Sequence, residues 1–357
     1  MRETRLRPQP KANNVRGSTE PALLEVDHLS TSFVTDYGVV HAVEDVSLTV
    51  ASGQTLGIVG ESGCGKTVLA RSILGLLPRR NTVRSGSVRL AGRELTTLSD
   101  ADLTTIRGKE VAMIFQDPMA ALNPVMTVGR QIVEVLRLHL GLGRRESRER
   151  AIDLLEQVGI PASKQRFDDY PHQLSGGMCQ RAMIAIAIAC EPRLLLADEP
   201  TTALDVTIQA QVLDLLQDLR ERHGMAMILV THDIGVVAGH VDEIAVMYAG
   251  QFVEQAATHD LFYATRHPYT RALLNSIPKL EDPSHTPLEI IRGRPPALIN
   301  PPVACHFAPR CPRAAPRCHA EEPLMEAALD RHTFRCFFPL EASVDEAAFT
   351  NAPTWEP

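Results

Sequence analysis

The strongest chemical pattern in the sequence is a glycine-rich loop that ends in a lysine and a threonine. The loop runs Gly60-Glu61-Ser62-Gly63-Cys64-Gly65-Lys66-Thr67. Glycines let a backbone turn its N–H groups towards one anion, lysine adds positive charge, and a threonine hydroxyl can bind Mg²⁺. A short apolar run, Thr55–Val59, precedes the loop, and a helical pattern over Val68–Leu77 follows it. Strand, loop and helix in this order predict a site for the phosphates of a nucleotide.

A pair of acids follows a second buried-strand pattern, Leu194–Ala197. The first acid, Asp198, is in a position to hold Mg²⁺, usually through water. The second, Glu199, is in a position to polarise an attacking water as a general base. Adjacent carboxylates after a strand often lie in a solvated loop and have no catalytic role. The pair indicates a catalytic site here because the phosphate loop precedes it in the sequence.

A third motif lies between the loop and the acids, Leu174-Ser175-Gly176-Gly177-Met178-Cys179-Gln180-Arg181. It resembles the signature motif of the ABC ATPases, and its position upstream of Asp198 agrees with that family. Ser175 and two glycines open a helix whose amino end is an anion site. In this family the signature serves the nucleotide of a second ATPase domain, so two domains enclose two ATP molecules. Cys179 departs from the Arg or Gln often found there, and we expect little effect on chemistry.

Smaller motifs strengthen the resemblance, which covers about residues 24–254. Gln116 matches the Q-loop, which contacts Mg²⁺ or water and relays closure to membrane subunits. His232 matches the switch histidine at the γ-phosphate, and Ala203-Leu204-Asp205 matches the D-loop of the dimer interface. Tyr37 is the candidate for stacking on adenine, with Phe33 as its competitor.

The resemblance implies ATP and Mg²⁺ as cofactors. The implied nucleotide contacts are Tyr37, Gly60, Glu61, Ser62, Gly63, Cys64, Gly65, Lys66, Thr67, Gln116, Asp198, Ser175, Gly176, Gly177, Gln180 and Asp205. The implied Mg²⁺ ligands are Thr67, Gln116 and Asp198, and the implied catalytic residues are Glu199, His232, Lys66 and Gln116.

Strand and helix patterns alternate along the chain, which predicts an α/β fold with a parallel sheet covered on both faces. The fold class expected from the resemblance is a P-loop NTPase of the ABC ATPase type, with antiparallel β and helical subdomains and a small cysteine-containing C-terminal extension. We expect a disordered tail over 1–20 and an ATPase domain over 21–260, with its helical subdomain at about 122–180. A C-terminal domain with a four-cysteine metal site is expected over 261–340, followed by a tail over 341–357.

Composition narrows the function classes. The formal net charge is -7, with 36 Lys and Arg against 43 Asp and Glu. This balance disfavours a nucleic-acid-coating protein, which needs a basic footprint. No run approaches the ~18 apolar residues of a membrane helix. We therefore expect a peripheral protein on the cytoplasmic face of a bacterial membrane, as the resemblance implies.

Two segments resemble one branch of the family, the ATPases of peptide importers. They are the loop Gln116–Val128 and the stretch His267–Leu274, which begins the extension of that branch. The implied substrate is an oligopeptide or dipeptide, delivered by an extracytoplasmic binding protein. Related importers carry nickel, glutathione or other small solutes, so this choice stays open.

The extension also holds a cluster of four cysteines, Cys305, Cys311, Cys318 and Cys336. In a cytoplasmic chain such a cluster indicates a metal more than disulfides. The tight C-x₂₋₄-C pair of many zinc sites is absent. Resemblance to the peptide-importer extension favours a [4Fe–4S] cluster, with zinc or unliganded thiols as alternatives. We expect this segment to be distant from the P-loop.

The resemblance implies a second ABC ATPase subunit and two transmembrane permease subunits as partners. A paralogous ATPase chain, and so a heterodimer, is favoured over a second copy. The rival interpretation is a soluble ABC-type ATPase of DNA repair or translation. Long coiled-coil or zinc-hook insertions and a second ATPase domain are missing from the sequence, which disfavours that rival. A degenerate regulatory subunit is disfavoured because Lys66, Glu199 and His232 are all present.

Overall fold

A computed structural model describes residues 22–201, 205–277, 291–299, 301, 303–329 and 331–341. Its strands are β1 (Leu24–Thr35), β2 (Gly38–Val50), β3 (Thr55–Val59), β4 (Thr82–Leu90), β5 (Arg93–Glu94), β6 (Val111–Ile114), β7 (Leu194–Asp198), β8 (Ala226–Thr231), β9 (Glu243–Tyr248), β10 (Gln251–Ala257), β11 (Glu326–Leu329) and β12 (His332–Phe334).

Helices cover the strands. They are α1 (Lys66–Ile73), α2 (Asp100–Ile106), α3 (Pro118–Ala121), α4 (Val128–Leu140), α5 (Arg144–Gln157), α6 (Ser163–Arg166), α7 (Gly176–Ile188), α8 (Val206–His223), α9 (Ile234–Val237), α10 (Thr258–Tyr263), α11 (Pro268–Asn275) and α12 (Pro316–Ala320). Short 3₁₀ turns span Pro171–Gln173 and Ala308–Arg310. Every helix within the described ranges is too short or too polar to cross a bilayer.

The strands form two sheets. An antiparallel sheet has the order β2-β1-β4-β5, and a larger sheet has the order β11-β12-β10-β9-β3-β8-β7-β6. The neighbours from β9 to β6 are parallel, whereas β10, β12 and β11 are added antiparallel. The carboxyl ends of the parallel strands therefore share one edge, where α/β proteins bind ligands.

The parallel strands are buried on both faces, and each face belongs to a different core. Along β7, Leu194 and Leu196 pack with the antiparallel sheet, while Leu195 and Ala197 pack with the helices. All four side chains are 0 % exposed. Successive strand residues point to opposite faces, so one apolar run serves both layers.

A helical unit follows β6. On α4, Val128, Ile132 and Leu136 recur at helical spacing, and all are fully buried against α5 and α7. Gly141 ends α4 with a φ of 68°, a left-handed conformation that suits glycine at a helix end. The helical pattern predicted over 128–159 is thus two helices separated at this glycine.

The C-terminal extension is integrated into the fold. The strands β11 and β12 continue the large sheet from β10, with Glu254 and Gln255 paired to Phe334 and Thr333. The fading periodicity of this region gave no indication of these strands, because each is short and pairs with a partner far along the chain.

Candidate functional site

The glycine-rich loop leaves β3 and enters α1 at the shared edge of the sheet. Gly65 has a φ of 109°, and a Cβ there would lie 2.2 Å from the Ala42 carbonyl oxygen. A Cβ on Gly60 would lie 2.1 Å from the Met247 carbonyl oxygen. The close approach of these backbones explains why both positions require glycine.

Lys66 lies beneath the loop, with its side chain 4 % exposed. Its Nζ donates to the carbonyl oxygens of Gly60 at 2.8 Å and Glu61 at 3.1 Å. The same Nζ is 3.9 Å from Glu199 Oε1. The loop thus places one positive charge next to the acid that follows β7.

Asp198, at the end of β7, is 0 % exposed. Its Oδ1 accepts a hydrogen bond from the Thr67 hydroxyl at 3.0 Å, whereas its Oδ2 is buried with no hydrogen-bond partner in the described chain. Burial raises the pKa of this carboxyl group above its usual value. A buried acceptor oxygen beside a threonine hydroxyl fits the oxygen ligands that Mg²⁺ prefers.

Glu199 is the meeting point of the predicted catalytic residues. Its Oε2 accepts from Gln116 Nε2 at 2.8 Å and lies 3.4 Å from His232 Nδ1. Its backbone has a φ of 46°, a conformation that non-glycine residues adopt at a cost and that recurs at functional sites. Gln116, Glu199 and His232 follow the carboxyl ends of β6, β7 and β8, and the loop that leaves β3 brings Lys66 to the same place.

The signature motif lies on the surface. Ser175 and Gly176 are exposed at the start of α7, and the Ser175 hydroxyl accepts a hydrogen bond from Met178 N at 3.3 Å. Gln180 differs from them, because it is 2 % exposed. No hydrogen bond among the described residues joins Ser175, Gly176 or Gly177 to the loop 60–67.

Two further predicted contacts have separate surroundings. Asp205 is exposed and caps the start of α8, where its side chain accepts from Ile208 N at 2.9 Å. The preceding Ala203 and Leu204 of the predicted D-loop lie outside the described residues. Tyr37, in the turn between β1 and β2, is 89 % exposed, while Phe33 is partly buried.

The four C-terminal cysteines line one cavity, together with His267. Burial raises the pKa of the Cys305 and Cys311 thiols and raises that of Cys336 to about 11. In the described ranges, no group of three or more histidine, cysteine or carboxylate side chains is placed to hold a metal ion.

Two residues for which the sequence predicted no role at the nucleotide site contact the phosphate loop. Arg310 forms an ion pair with Glu61, and the Tyr269 hydroxyl accepts from Glu61 N at 3.0 Å. The expectation that the four-cysteine segment is distant from the P-loop is therefore wrong, because Arg310 directly precedes Cys311 in the chain. The only signal for Arg310 in the sequence was the stretch Arg292–Arg317, which holds five arginines and no acid, a pattern more typical of a solvated face.

Comparison with known proteins identifies two family regions in the chain. A family model described as "ABC transporter" matches residues 43–202, and one described as "Oligopeptide/dipeptide transporter, C-terminal region" matches residues 253–318. The chain is 48 % identical over 320 residues to the dipeptide transport ATP-binding protein DppD of Escherichia coli (strain K12), which covers 90 % of this chain and 98 % of that one. It is 46 % identical over 326 residues to the oligopeptide transport ATP-binding protein AppD of Bacillus subtilis (strain 168), covering 91 % and 99 %.

A solved structure gives the same fold. The dimeric ATP-binding cassette MJ0796 in a post-hydrolysis state, bound to ADP and Pi, matches with a TM-score of 0.60 at 27 % identity. The match covers 66 % of this chain and 98 % of that one.

Proposed function

Because the chain belongs to the family of ABC transporter ATP-binding proteins, in the group with the oligopeptide/dipeptide transporter C-terminal region, we propose that it hydrolyses ATP to drive the uptake of peptides. The observation that carries the proposal is the meeting of three side chains at the Glu199 carboxylate. Gln116, His232 and Lys66 all lie within 3.9 Å of its carboxylate.

Glu199 is proposed as the general base. Gln116 donates to one carboxylate oxygen, and this hydrogen bond fixes the orientation of the acid. The carboxylate accepts a proton from the attacking water, which contributes about 10²–10⁴ in rate. His232 Nδ1 lies 3.4 Å from the same carboxylate oxygen, and the histidine is proposed to contact the γ-phosphate.

Lys66 and the amides of the loop are proposed to bind the β- and γ-phosphates. Thr67 and Asp198, with Gln116, are proposed to hold Mg²⁺, and the buried unpaired Oδ2 of Asp198 supports this assignment. When bound, Mg²⁺ neutralises charge on the phosphates. Tyr37 is proposed to stack on adenine, since its ring is the more exposed of the two candidates.

The active unit is proposed to be a pair of ATPase subunits. Exposed Ser175 and Gly176 open a helix of 13 residues, and the amino end of such a helix attracts phosphate. Among the described residues of one chain, this end has no hydrogen bond to the loop 60–67, and the solved relative MJ0796 is dimeric. We propose that the signature completes the site of the partner, which is a paralogue in a heterodimer.

We also propose domain limits for the chain and an assembly for the transporter. The ATPase domain spans 21–260 with a helical subdomain at about 122–180, and the extension spans 261–340. The pair of ATPases lies on the cytoplasmic face of the membrane beneath two permease subunits, with an extracytoplasmic peptide-binding protein completing the importer. The names of the relatives, which transport dipeptides and oligopeptides, support a peptide substrate.

The four cysteines are proposed to hold one [4Fe–4S] cluster, which supplies folding energy to the extension. Their side chains line one cavity, and the absence of a tight C-x₂₋₄-C pair from the sequence favours a cluster over zinc. Protein purified without oxygen should contain about four iron atoms per chain, and Cys336→Ser should lower that content. Stoichiometric zinc without iron would instead support the zinc alternative.

The function is tested in a complete complex. The chain is expressed with its permease and partner ATPase genes, purified and reconstituted in vesicles with the binding protein. A dipeptide mixture should stimulate ATP hydrolysis and accumulate inside, and Lys66→Ala should remove both effects. If ATP hydrolysis responds to nickel or glutathione but to no peptide, the substrate is that solute and not a peptide. If the chain associates with no permease, it is not a transporter subunit.

A further inference from the structure

We infer that Arg310 is a positioning residue for the phosphate loop, acting through Glu61, so that the C-terminal extension sets the affinity for nucleotide. The inference rests on the proposed function in taking ATP as the ligand of the loop. The observation behind it is a partly buried, bidentate ion pair that joins residues 249 positions apart in the sequence.

The ion pair has the geometry of a strong interaction. Arg310 Nη1 donates to Glu61 Oε2 at 2.6 Å, and Nη2 donates to Oε1 at 2.8 Å. The arginine side chain is 4 % exposed and that of the glutamate 24 %. Two parallel charge-assisted bonds fix both distance and orientation, and lysine cannot reproduce them.

Arg310 is itself held in place. Its Nε donates to the Arg292 carbonyl oxygen at 3.0 Å, and its Nη2 also donates to the Ile291 carbonyl oxygen at 3.3 Å. Its Nη1 lies 3.3 Å from the Tyr248 hydroxyl. The guanidinium therefore connects the extension to the loop as a fixed support, since each of its nitrogens has a partner.

Glu61 is held by three separate contacts, and one of them joins it to Lys66. Its N–H donates to the Tyr269 hydroxyl at 3.0 Å, while its carbonyl oxygen accepts from Lys66 Nζ at 3.1 Å. Tyr269 is fully buried and packs on Tyr248 with ring centroids 4.5 Å apart. The side chain, the N–H and the carbonyl of one residue thus each have a separate anchor, and a shift of Glu61 would move the lysine.

Charge gives the pair a second effect. Glu61 places a carboxylate within the loop that is proposed to bind polyphosphate, and like charges repel most strongly at short range and low dielectric. Arg310 neutralises that carboxylate. Removal of Arg310 should therefore weaken ATP binding more than it slows turnover at saturating ATP.

The test compares Arg310→Met, Glu61→Gln and the double variant in the full chain, by ATP binding and by hydrogen exchange of the loop amides without nucleotide. Arg310→Met should raise the Kd for ATP about tenfold, as expected for loss of a hydrogen bond to a charged group. In the Glu61→Gln background, Arg310→Met should weaken ATP binding by less than about threefold, because Arg310 acts through the carboxylate that is already gone. Arg294→Met, an exposed arginine of the same segment, is the matched control.

Two further results are expected if Arg310 positions the loop. In steady state, KM should rise in Arg310→Met while kcat stays within about twofold, and Arg310→Lys should recover part of the loss. The amides of residues 61–67 should exchange faster in Arg310→Met and in Glu61→Gln, whether or not ATP is the ligand. If Arg310→Met does not fold, Glu61→Gln still reports on the loop through exchange.

Unchanged loop exchange in both single variants would overturn the inference. So would an equal loss of ATP affinity from Arg310→Met with Glu61 present or replaced, since Arg310 would then act by general support. If the wild-type chain bound no ATP, the proposed function would fail, and loop exchange alone would decide whether Arg310 positions the loop.

Discussion

Replacing Asp198 with asparagine should stabilise the nucleotide-free protein while it removes the effect of Mg²⁺ and ATP. The carboxylate is 0 % exposed, and one of its oxygens has no hydrogen-bond partner in the described chain. An unsatisfied buried polar group costs about 1–3 kcal/mol, and more when it is charged. Asparagine keeps an oxygen for the Thr67 hydroxyl but carries no charge, so we expect a net gain of about 1 kcal/mol.

The assay is thermal unfolding with and without Mg²⁺ and ATP. A gain of about 1 kcal/mol corresponds to an increase in Tm of about 2 °C for a chain of this size. At a ligand concentration 100 times Kd, wild type should gain about 2.7 kcal/mol from binding. Asp198→Asn should lose most of that gain, because the proposed ligand of the cation has lost its charge.

The dependence on pH gives an independent check. Burial raises the folded-state pKa of Asp198, so the charged form destabilises the fold at pH values above that pKa. This cost disappears as pH falls through the folded pKa towards the unfolded one. The advantage of Asp198→Asn should therefore be largest near neutral pH and shrink on acidification.

The matched control is Asp214→Asn, whose side chain is 73 % exposed and which should change Tm by less than about 1 °C. A fall in the Tm of nucleotide-free Asp198→Asn, together with an undiminished gain from Mg²⁺ and ATP, would refute the reasoning. Both the burial cost and the assignment as a cation ligand would then be wrong.

Two other variants test the loop and the signature. Gly65→Ala should destabilise the fold by at least about 1–3 kcal/mol in urea unfolding, because its φ is 109° and the new Cβ would meet the Ala42 carbonyl oxygen; Gly63→Ala, where nothing lies within 4 Å of the Cβ, should cost less. Equal costs would contradict the close approach. Ser175→Arg should leave ATP binding to its own loop intact but abolish hydrolysis at the partner's site in a mixed pair; full activity of that pair would contradict a shared site.

The site could be predicted from the sequence wherever its chemistry is local. The loop 60–67 and the acids after β7 each follow a strand, and short apolar runs with glycine or acidic ends mark such positions. The parallel sheet then brings their carboxyl ends together, because its topology allows few alternatives. The bounds of β3, Thr55–Val59, were also predicted, since the run is apolar throughout and ends at Gly60.

The contacts of the extension could not be predicted in this way. Strands β11 and β12 are short, and their partners depend on pairing across the chain and not on periodicity. The bond from Arg310 to Glu61 joins distant residues whose types are common on solvated surfaces. No local pattern distinguishes such a pair from exposed charges, so it required the three-dimensional arrangement.

The central claim is that Glu199 is the base for ATP hydrolysis and that the site still binds ATP without this base. The most direct measurement is ATP turnover and ATP affinity of Glu199→Gln, with Glu221→Gln as an exposed control. The glutamine can still accept from Gln116, and Lys66 keeps its bonds to the loop carbonyls. Turnover should fall by about 10²–10⁴ with affinity retained, and the closed ATP-bound pair should accumulate. Hydrolysis at the wild-type rate would contradict the account.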